Sequence, residues 1–228
     1  MKCKIIVVSN GKGGVGKSTI AANIAIDLKN SGNKVALFDA EKKGTSIFLS
    51  ERDDLDVYPG YDRMISQTLT AHKGNYDYIV VDTAGVNSAS MQGSQDNLQD
   101  LINTKVIALA DLVIVPLVPS PVDVRKTEGF LSELEVLIDA SRGQLKSLIV
   151  LNRYRYKEIM SKEVIEHLKA SYSNHDYHCF DNMTIRQATI VAQADGFYQS
   201  VNEYAPGAPV AMDFKKLIKM TTSMLEAK

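Results

Sequence analysis

The segment SNGKGGVGKST, residues 9–19, decides the fold of this 228-residue chain. It overlaps the end of an apolar run, IIVVS at 5–9, and leads into STIAANIAIDLKNSG, whose apolar spacing predicts a helix closed by Gly32. A glycine-rich turn between a strand and a helix lets backbone N–H groups surround phosphate oxygens at the positive end of the helix. The stretch therefore predicts a phosphate-binding loop.

The spacing Gly11-x4-Gly16-Lys17-Ser18 fits the Walker A pattern and assigns separate roles to its residues. We expect Lys17 to contact the β- and γ-phosphates, Ser18 to hold Mg²⁺, and Thr19 to donate to the α-phosphate. The predicted nucleotide-contacting residues of the loop are Gly11, Gly13, Gly14, Val15, Gly16, Lys17, Ser18 and Thr19.

Four more apolar runs, at 34–39, 78–82, 112–117 and 148–152, have the composition of strands buried on both faces. Helix-like stretches separate them. This alternation predicts an α/β fold with a doubly wound, mainly parallel sheet, which with the phosphate loop is the P-loop NTPase fold. Neither a linker nor a repeat divides the sequence, so we expect a single domain over residues 1–228.

The composition is that of an ordinary globular protein, with 45% hydrophobic residues and a formal net charge of −1. Any attraction to DNA or to a membrane must therefore come from a local patch. The two cysteines, Cys3 and Cys179, provide no disulfide framework, which favours a cytoplasmic location. No apolar run is long enough to predict a membrane span.

Two acidic residues stand where strands of such a sheet end. Asp39 closes the second apolar run and Asp82 closes the third. Because ligands bind beyond the carboxyl ends of parallel strands, both carboxylates are expected at the nucleotide. Asp82 fits the Walker B acid, and the predicted Mg²⁺ ligands are Ser18, Asp39 and Asp82.

The sequence KGGVGKST at 12–19 resembles the deviant Walker A box of the ParA/MinD ATPases, which begins with a signature lysine. The resemblance implies that ATP joins two subunits face to face. It also implies that Lys12 of each subunit reaches the phosphates bound by the other. Such a lysine would neutralise phosphate charge across the interface.

Three further stretches, at 38–52, 116–124 and 185–206, are similar to small plasmid-partition ParA proteins. The chain length also resembles the StbB-type ATPases of conjugative plasmids. Because Lys4 already begins the first predicted strand, we expect the N-terminal DNA-binding module of larger partition proteins to be missing. One departure is Glu41, which replaces the acid that orients the attacking water in the family; its longer side chain predicts slow turnover.

The resemblance assigns catalysis to Lys12, Lys17, Asp39 and Glu41. Asn152 lies in LNR (151–153), which is similar to the adenine-pocket segment of the family. Its alternative role is that of a strand-end cap. A guanine-recognition motif does not follow the fifth strand, so ATP is favoured over GTP.

The function implied by the resemblance is that of an ATP-dependent homodimer that binds DNA without sequence preference and segregates a plasmid. It would work on the nucleoid with a separate centromere-binding adaptor protein. The predicted DNA-binding residues are Lys215, Lys216, Lys219 and Arg186. A MinD-like membrane regulator and a metabolic P-loop enzyme of the dethiobiotin synthetase sort are the rival interpretations. The stretch FKKLIKMTTSMLEAK predicts an amphipathic helix, for which packing on the domain is the favoured interpretation, a DNA-facing basic edge the second and membrane docking the least favoured.

The segment HDYHC at 175–179 is the remaining chemical cluster in the sequence. His175, His178 and Cys179 supply only three potential ligands, without a second pair at zinc spacing. From sequence alone we therefore expect that this segment does not bind a metal.

Overall fold

The computed structural model describes residues 2–85, 96–141 and 145–226, over which strands and helices alternate. The strands are β1 (Lys4–Val8), β2 (Val35–Asp39), β3 (Asp56–Pro59), β4 (Tyr78–Asp82), β5 (Leu112–Leu117), β6 (Lys146–Tyr154), β7 (His178–Cys179) and β8 (Thr184–Arg186). The helices are α1 (Lys17–Asn30), α2 (Ile65–His72), α3 (Asp96–Ala108), α4 (Pro121–Ala140), α5 (Ile159–Tyr172), α6 (Thr189–Gly196), α7 (Val201–Tyr204) and α8 (Pro209–Glu226), with a 3₁₀ helix at Ser46–Glu51.

The strands form one sheet in the order β3-β2-β4-β1-β5-β6-β7, and β8 pairs with β6 beyond the end of β7. Every strand pair within the described residues is parallel. The order reverses on either side of β1, which is the topology of a doubly wound sheet. The predicted fold class is confirmed.

Each face of the sheet carries its own hydrophobic core, because alternate residues of a strand point to opposite faces. In β1, Ile6 and Val8 pack with helices α1, α6, α7 and α8. Ile5 and Val7 pack with α2, α3, α4 and α5. The core strands are consequently apolar at nearly every position, which is why they could be recognised as buried strands from sequence.

Strand register brings the ends of the central strands to the same level. Asp82 lies directly beside Asp39 of β2 and beside Val8 of β1. The phosphate loop leaves β1 immediately after Val8 and enters α1 at Lys17. The loop and both acids therefore share one edge of the sheet, as the sequence predicted.

The helix ends follow local chemistry. Gly32 has φ 88°, the left-handed conformation expected of the glycine that closes α1. At the start of α4, the hydroxyl of Ser120 accepts a hydrogen bond from the backbone N–H of Asp123, and Pro121 is the first helical residue. The predicted apolar face of α8 is confirmed: Phe214, Leu217, Thr221 and Leu225 are buried against the domain.

One prediction of secondary structure near the C-terminus was wrong. The sequence TIRQATIVAQADG at 184–196 by itself predicts a helix over its whole length, but Thr184–Arg186 is the strand β8 and the helix begins at Thr189. Short edge strands are hard to recognise because they lack a buried apolar run. For the same reason β3, with exposed ends and a proline at its last position, was not predicted.

Cys3 and Cys179 carry free thiols, as predicted. None of the helices over the described residues is both long enough and apolar enough to span a membrane.

Candidate nucleotide-binding site

The phosphate loop is a turn that only glycine accommodates without strain at two positions. Gly14 has φ 78° and Gly16 has φ 96°, both in the left-handed region. Gly16 immediately precedes α1, and the helix start has no side-chain cap. The first N–H groups of α1 are therefore available to an anion, which is the arrangement the sequence predicted.

Two close approaches fix the loop in place. A Cβ at Gly85 would lie 2.5 Å from the backbone nitrogen of Gly13, so the turn after β4 rests directly on the loop. On the other side, the amide nitrogen of Asn152 donates to the carbonyl of Val15 over 2.8 Å. A side chain at Gly16 would collide with that same amide. The sequence DTAG at 82–85 is predicted to be the switch that senses the γ-phosphate, and its last residue, Gly85, makes this contact with the loop.

Lys17 lies inside the loop rather than on its surface. It is 7% exposed, and its ammonium donates to the carbonyl of Lys12 over 2.7 Å. Burial lowers the pKa of Lys17, while the carboxylates of Asp82 and Glu41 oppose that shift. The Lys17 ammonium thus has a loop carbonyl and two nearby carboxylates as its partners. Phosphate oxygens can replace these partners when a nucleotide binds.

Asp82 is the most buried acid of the site, with no exposed surface. One carboxylate oxygen, Oδ2, accepts from the hydroxyl of Ser46 over 2.6 Å. The other, Oδ1, is buried and has no hydrogen-bond partner among the described residues. Burial raises the pKa of Asp82 to about 6, while the nearby hydroxyls of Ser46 and Ser18 and the Lys17 ammonium oppose that rise.

An unpaired buried carboxylate oxygen beside a serine hydroxyl is a donor set that Mg²⁺ prefers. The residues present, Ser18 and Asp82, therefore fit the predicted ion.

Asp39 has a different environment from its neighbour. Its carboxylate accepts from the backbone N–H of Glu41 over 3.1 Å and of Ile47 over 2.8 Å. Both oxygens are thus used to fold the 41–47 loop over the end of β2, and burial raises the pKa of Asp39. These contacts describe a positioning role in this structure, and metal ligation by Asp39 stays a prediction.

Glu41 follows within the same loop. Burial raises the pKa of Glu41, and Lys17 opposes the rise, which places its carboxylate within electrostatic reach of the phosphate-loop lysine. The sequence interpretation requires an acid close to the phosphate loop to orient the attacking water. Its catalytic role remains a prediction.

Lys12 is held on the opposite side of the loop. Its ammonium pairs with the carboxylate of Asp123 in the first turn of α4. Its backbone N–H donates over 3.0 Å to the side chain of Asn10, which is itself buried against β5 and α4. The structure therefore keeps the signature lysine within its own subunit, and reaching a partner requires it to leave Asp123.

Two other predicted nucleotide contacts have partners in this structure. The Thr19 hydroxyl donates to Asp195 of α6 over 3.1 Å, which is not the direction of the loop's N–H groups. Asn152 uses one amide hydrogen on Val15 and its oxygen on the N–H of Arg153. Both stay predictions as nucleotide ligands, and Asn152 acts here as a support for the loop.

The four cations predicted to bind DNA differ in how they are engaged. Arg186 makes a two-pronged ion pair with Asp213, at 2.6 and 2.8 Å. Lys216 donates to the carbonyl of Asn182 over 2.9 Å. Lys215 and Lys219 form no ion pair with the described residues and line an open cavity of about 530 Å³ between α1 and α8.

Sequence reasoning missed the residues that support the site from a distance in the chain. Asn10, Ser46 and Asp123 carry no motif, because their role arises only when β5, the 3₁₀ helix and α4 meet the loop. Arg52 is another case: it binds Glu203 through two nitrogens at 3.0 Å. That contact joins two of the stretches similar to plasmid-partition proteins.

Comparison with known proteins agrees with this geometry. The chromosome-partitioning ATPase Soj of Thermus thermophilus is 24% identical over 95% of this chain and 94% of its own. The ATP complex of a single-residue variant of McdA from Cyanothece superposes with a TM-score of 0.72 at 16% identity, covering 100% of this chain and 98% of that one. The septum site-determining protein MinD of Pyrococcus horikoshii with Mg-ADP gives 0.67 at 19% identity, with 96% of each chain covered.

The family model of the CobQ/CobB/MinD/ParA nucleotide binding domain matches residues 6–201. That range begins in β1, before the phosphate loop, and ends in α7, so it includes every strand of the sheet. The chain belongs to the CobQ/CobB/MinD/ParA nucleotide-binding family.

Proposed function

We propose that this chain is an ATPase that dimerises on Mg-ATP, binds DNA without sequence preference and positions or segregates a DNA cargo. A separate centromere-binding protein would connect the ATPase to that cargo. The cargo would be a plasmid, because the stretches at 38–52, 116–124 and 185–206 are similar to plasmid-partition proteins. The observation that carries the proposal is the placement of Lys17, Ser18 and Asp82 around one phosphate loop, with Lys12 on the outer side.

Nucleotide binding rests on the buried charges. The Lys17 ammonium, held over a loop carbonyl, exchanges that carbonyl for the β- and γ-phosphate oxygens. Ser18 and the unpaired Oδ1 of Asp82 are the groups that would hold Mg²⁺, which supplies charge neutralisation at the phosphates. Asn152, beside Gly16, would lie near the base.

Hydrolysis would depend on the loop that Asp39 folds. Asp39 fixes the backbone of Glu41 and Ile47, and Glu41 carries the carboxylate that would orient the attacking water. Because the Glu41 side chain is one methylene longer than the aspartate of similar proteins, it orients the water less strictly. We expect slow hydrolysis that a partner protein stimulates.

Dimerisation would depend on Lys12. The Asp123 carboxylate holds the ammonium at the outer side of the loop, where the lysine side chain is 30% exposed. A triphosphate on an opposing subunit offers more negative charge than a single carboxylate, so Lys12 exchanges one partner for the other. The interface would then be symmetric, with one lysine crossing in each direction.

DNA binding would use lysines of α8 from both subunits. The net charge of −1 provides no general attraction to DNA, so binding requires a local basic patch. The twofold symmetry of a dimer would double the number of basic residues in that patch. Lys215 and Lys219 are the best candidates because neither lies within ion-pair distance of a described acid, although Asp27, whose pKa Lys215 lowers, and Glu203 line the same cavity. The relative named as a chromosome-partitioning ATPase supports a role of this kind.

The experiment is a pair of binding assays on the intact chain with ATP, ADP and no nucleotide. Light scattering reports dimerisation, and co-sedimentation compares plain DNA of two unrelated sequences with anionic liposomes. We expect ATP to produce dimers that bind both DNAs equally and leave liposomes unbound. Liposome binding would favour the membrane regulator instead. A chain that stays monomeric with ATP, with ADP and without nucleotide, and that hydrolyses ATP at a rate unaffected by DNA, would favour a metabolic enzyme.

A further inference from the structure

Three potential metal ligands meet at the β7 edge of the sheet, away from the phosphate loop. Glu135 lies on α4, His175 in the loop before β7, and His178 in β7 itself. One ligand atom from each lies within 4.8 Å of the other two. Glu135 comes from a helix about forty residues earlier in the sequence, so the spacing of HDYHC alone could not reveal it.

The distances in this cluster suit a metal better than hydrogen bonds. Glu135 Oε1 lies 3.3 Å from His178 Nε2 and 3.6 Å from His175 Nε2. Good N–H···O bonds are shorter, at about 2.7–3.2 Å. A tetrahedral zinc ion with bonds of about 2.0–2.2 Å holds its ligand atoms roughly 3.3–3.6 Å apart. The two separations therefore match the edges of a zinc tetrahedron.

His178 is the strongest single indication. Its side chain has no exposed surface, and its Nε2 atom makes no acceptable hydrogen bond with the described residues. A buried nitrogen without a partner costs free energy unless something binds it. On the other side of the ring, Nδ1 lies 2.7 Å from the buried hydroxyl of Ser147. When that hydroxyl accepts the Nδ1 proton, Nε2 directs a lone pair at Glu135.

His175 supplies an adjustable ligand. Its ring stacks on His178 with centroids 4.9 Å apart, and its Nδ1 accepts two long bonds of 3.3 Å from the N–H groups of Tyr177 and His178. Ligation through Nε2 requires a proton on Nδ1, so both long bonds would be given up. Because His175 stands in a loop and is partly exposed, this adjustment costs little, and the open side leaves room for a water as fourth ligand.

The surroundings of the cluster are negative. Asp139 lies one helical turn beyond Glu135 and accepts from the Tyr177 hydroxyl over 2.6 Å. Asp176 adjoins His175 in the sequence, so Glu135, Asp139 and Asp176 bring three carboxylates close to the two imidazoles. Their negative charge attracts a cation to this position.

We propose that Glu135, His175 and His178 bind one Zn²⁺ ion, with water as its fourth ligand, and that the ion ties α4 to the β7 edge of the sheet. Ser147, which is paired in register with His178, lies five residues before Asn152 along β6. At about 3.3 Å per residue this is roughly 16 Å from the phosphate loop. The ion would therefore stabilise the fold without touching nucleotide.

The test is calorimetric titration of Zn²⁺ into the chelator-treated full chain without nucleotide, repeated with Co²⁺, whose tetrahedral complexes absorb visibly. Glu135→Gln and His175→Gln remove ligands at partly exposed positions, so the fold is retained, and circular dichroism checks this. The matched control is His167→Gln: this exposed histidine of α5 also pairs with a glutamate of α4, Glu128, over 2.7 Å, but no third ligand group joins that pair in the described structure.

We expect one Zn²⁺ per chain, with affinity at least about 100-fold weaker in Glu135→Gln and His175→Gln and unchanged in His167→Gln. Zinc should also raise the melting temperature of the wild-type chain and of the control, but not that of the two ligand variants. Binding that is absent, or that survives both ligand variants, would overturn the proposal. So would loss of binding in Asp82→Asn, because the ion would then belong to the nucleotide site.

Discussion

The charged groups beyond the carboxyl ends of β1, β2 and β4 differ from those on the surface of β8 and α8 in what positions them. Lys17, Asp39 and Asp82 are buried; strand register pairs the two acids, and the phosphate loop brings Lys17 to them. Arg186 and Lys216 are exposed and are engaged by the nearest acceptors, Asp213 and the carbonyl of Asn182. Strand register therefore gives the acids of the first region a defined position that can be inferred from the sequence. The contacts of the basic residues in the second region can be inferred only when their acceptors are known from the structure.

The difference also has an energetic side. Buried charges that lack a full set of partners carry a desolvation cost that a ligand can relieve. Surface ion pairs contribute only about 0–1 kcal/mol and are screened by salt. Substitutions at the first region should therefore have large effects that depend on ligand, and substitutions at the second should have small effects that depend on ionic strength.

The largest expected effect is that of Lys17→Ala. The loop would lose the ammonium that exchanges the Lys12 carbonyl for phosphate, and a charged hydrogen bond contributes about 1.5–3 kcal/mol. With more than one phosphate oxygen affected, ATP affinity should fall at least about 100-fold. Calorimetric titration with Mg-ATP measures this, with the exposed Lys34→Ala as a control on the same fold. Unchanged affinity would show that the loop does not bind phosphate.

Asp82→Asn should have opposite effects on stability and on binding. The folded-state pKa of about 6 lies above the ordinary aspartate value of 3.8, so the folded protein binds the proton more tightly than the unfolded chain does. Stability then falls as pH rises from about 4 to 6. Removing the charge should stabilise the nucleotide-free chain at pH 7.5 by up to about 3 kcal/mol and abolish Mg-ATP binding. Denaturant unfolding at pH 4 and 7.5 measures the first effect, which should vanish at the lower pH.

Asp39→Asn provides the contrast within the same pair of strands. Its two carboxylate oxygens each accept a backbone N–H, whereas the NH₂ group of an asparagine would face one of those N–H groups. Burial raises the pKa of Asp39 as well, but we expect the loss of this hydrogen bond to outweigh the relief of removing a buried charge, so this variant should lose stability at pH 7.5. If both variants moved stability in the same direction, the distinction between an unpaired acid and a loop-folding acid would be wrong.

A feature could be predicted from the sequence when it depends on residues that are close together in the chain, or on the ends of neighbouring parallel strands. The phosphate loop, the two strand-ending acids and the apolar face of α8 all belong to this class. Asp39 and Asp82 could be placed together from the sequence because the carboxyl ends of parallel strands meet at one edge.

Sequence was insufficient where the partner comes from a distant element. Three contacts join elements whose relative positions no local sequence pattern encodes. They are Asp123 with Lys12, Ser46 with Asp82, and Glu135 with His178. The pairing of Arg186 with Asp213 belongs here as well. An exposed arginine gives no sign in the sequence that an acid of a later helix neutralises it.

Lys12→Ala should separate monomer binding from assembly. Because the lysine pairs with Asp123 in its own subunit, ATP affinity of the monomer should change less than about threefold, while ATP-dependent dimers should weaken at least about tenfold. Light scattering with a non-hydrolysable analogue measures dimerisation. The nearly buried Asp123 carboxylate loses its cation, so some stability should be lost as well.

The double variant Lys12→Ala, Asp123→Asn removes that complication. It should recover the stability but not the dimers. Recovery of dimers would mean that Lys12 acts only by neutralising Asp123 and does not cross the interface.

The smallest expected effects concern the basic residues of β8 and α8, and they sharpen the comparison most. If an ATP-bound dimer neutralises about four to six phosphates, the logarithm of its DNA affinity should fall against the logarithm of salt with a slope of about −4 to −5. The double variant Lys215→Ala, Lys219→Ala removes up to four cations per dimer and should make the slope shallower by about 2 to 4. Arg186→Ala should change it by less than about 1, since Asp213 already engages that guanidinium and would be left unpaired. Fluorescence anisotropy over a salt series, with ATP analogue and without nucleotide, measures both. A larger change for Arg186 than for the two lysines would show that DNA displaces Asp213, and that pairing in the free protein does not predict which cations a polyanion uses.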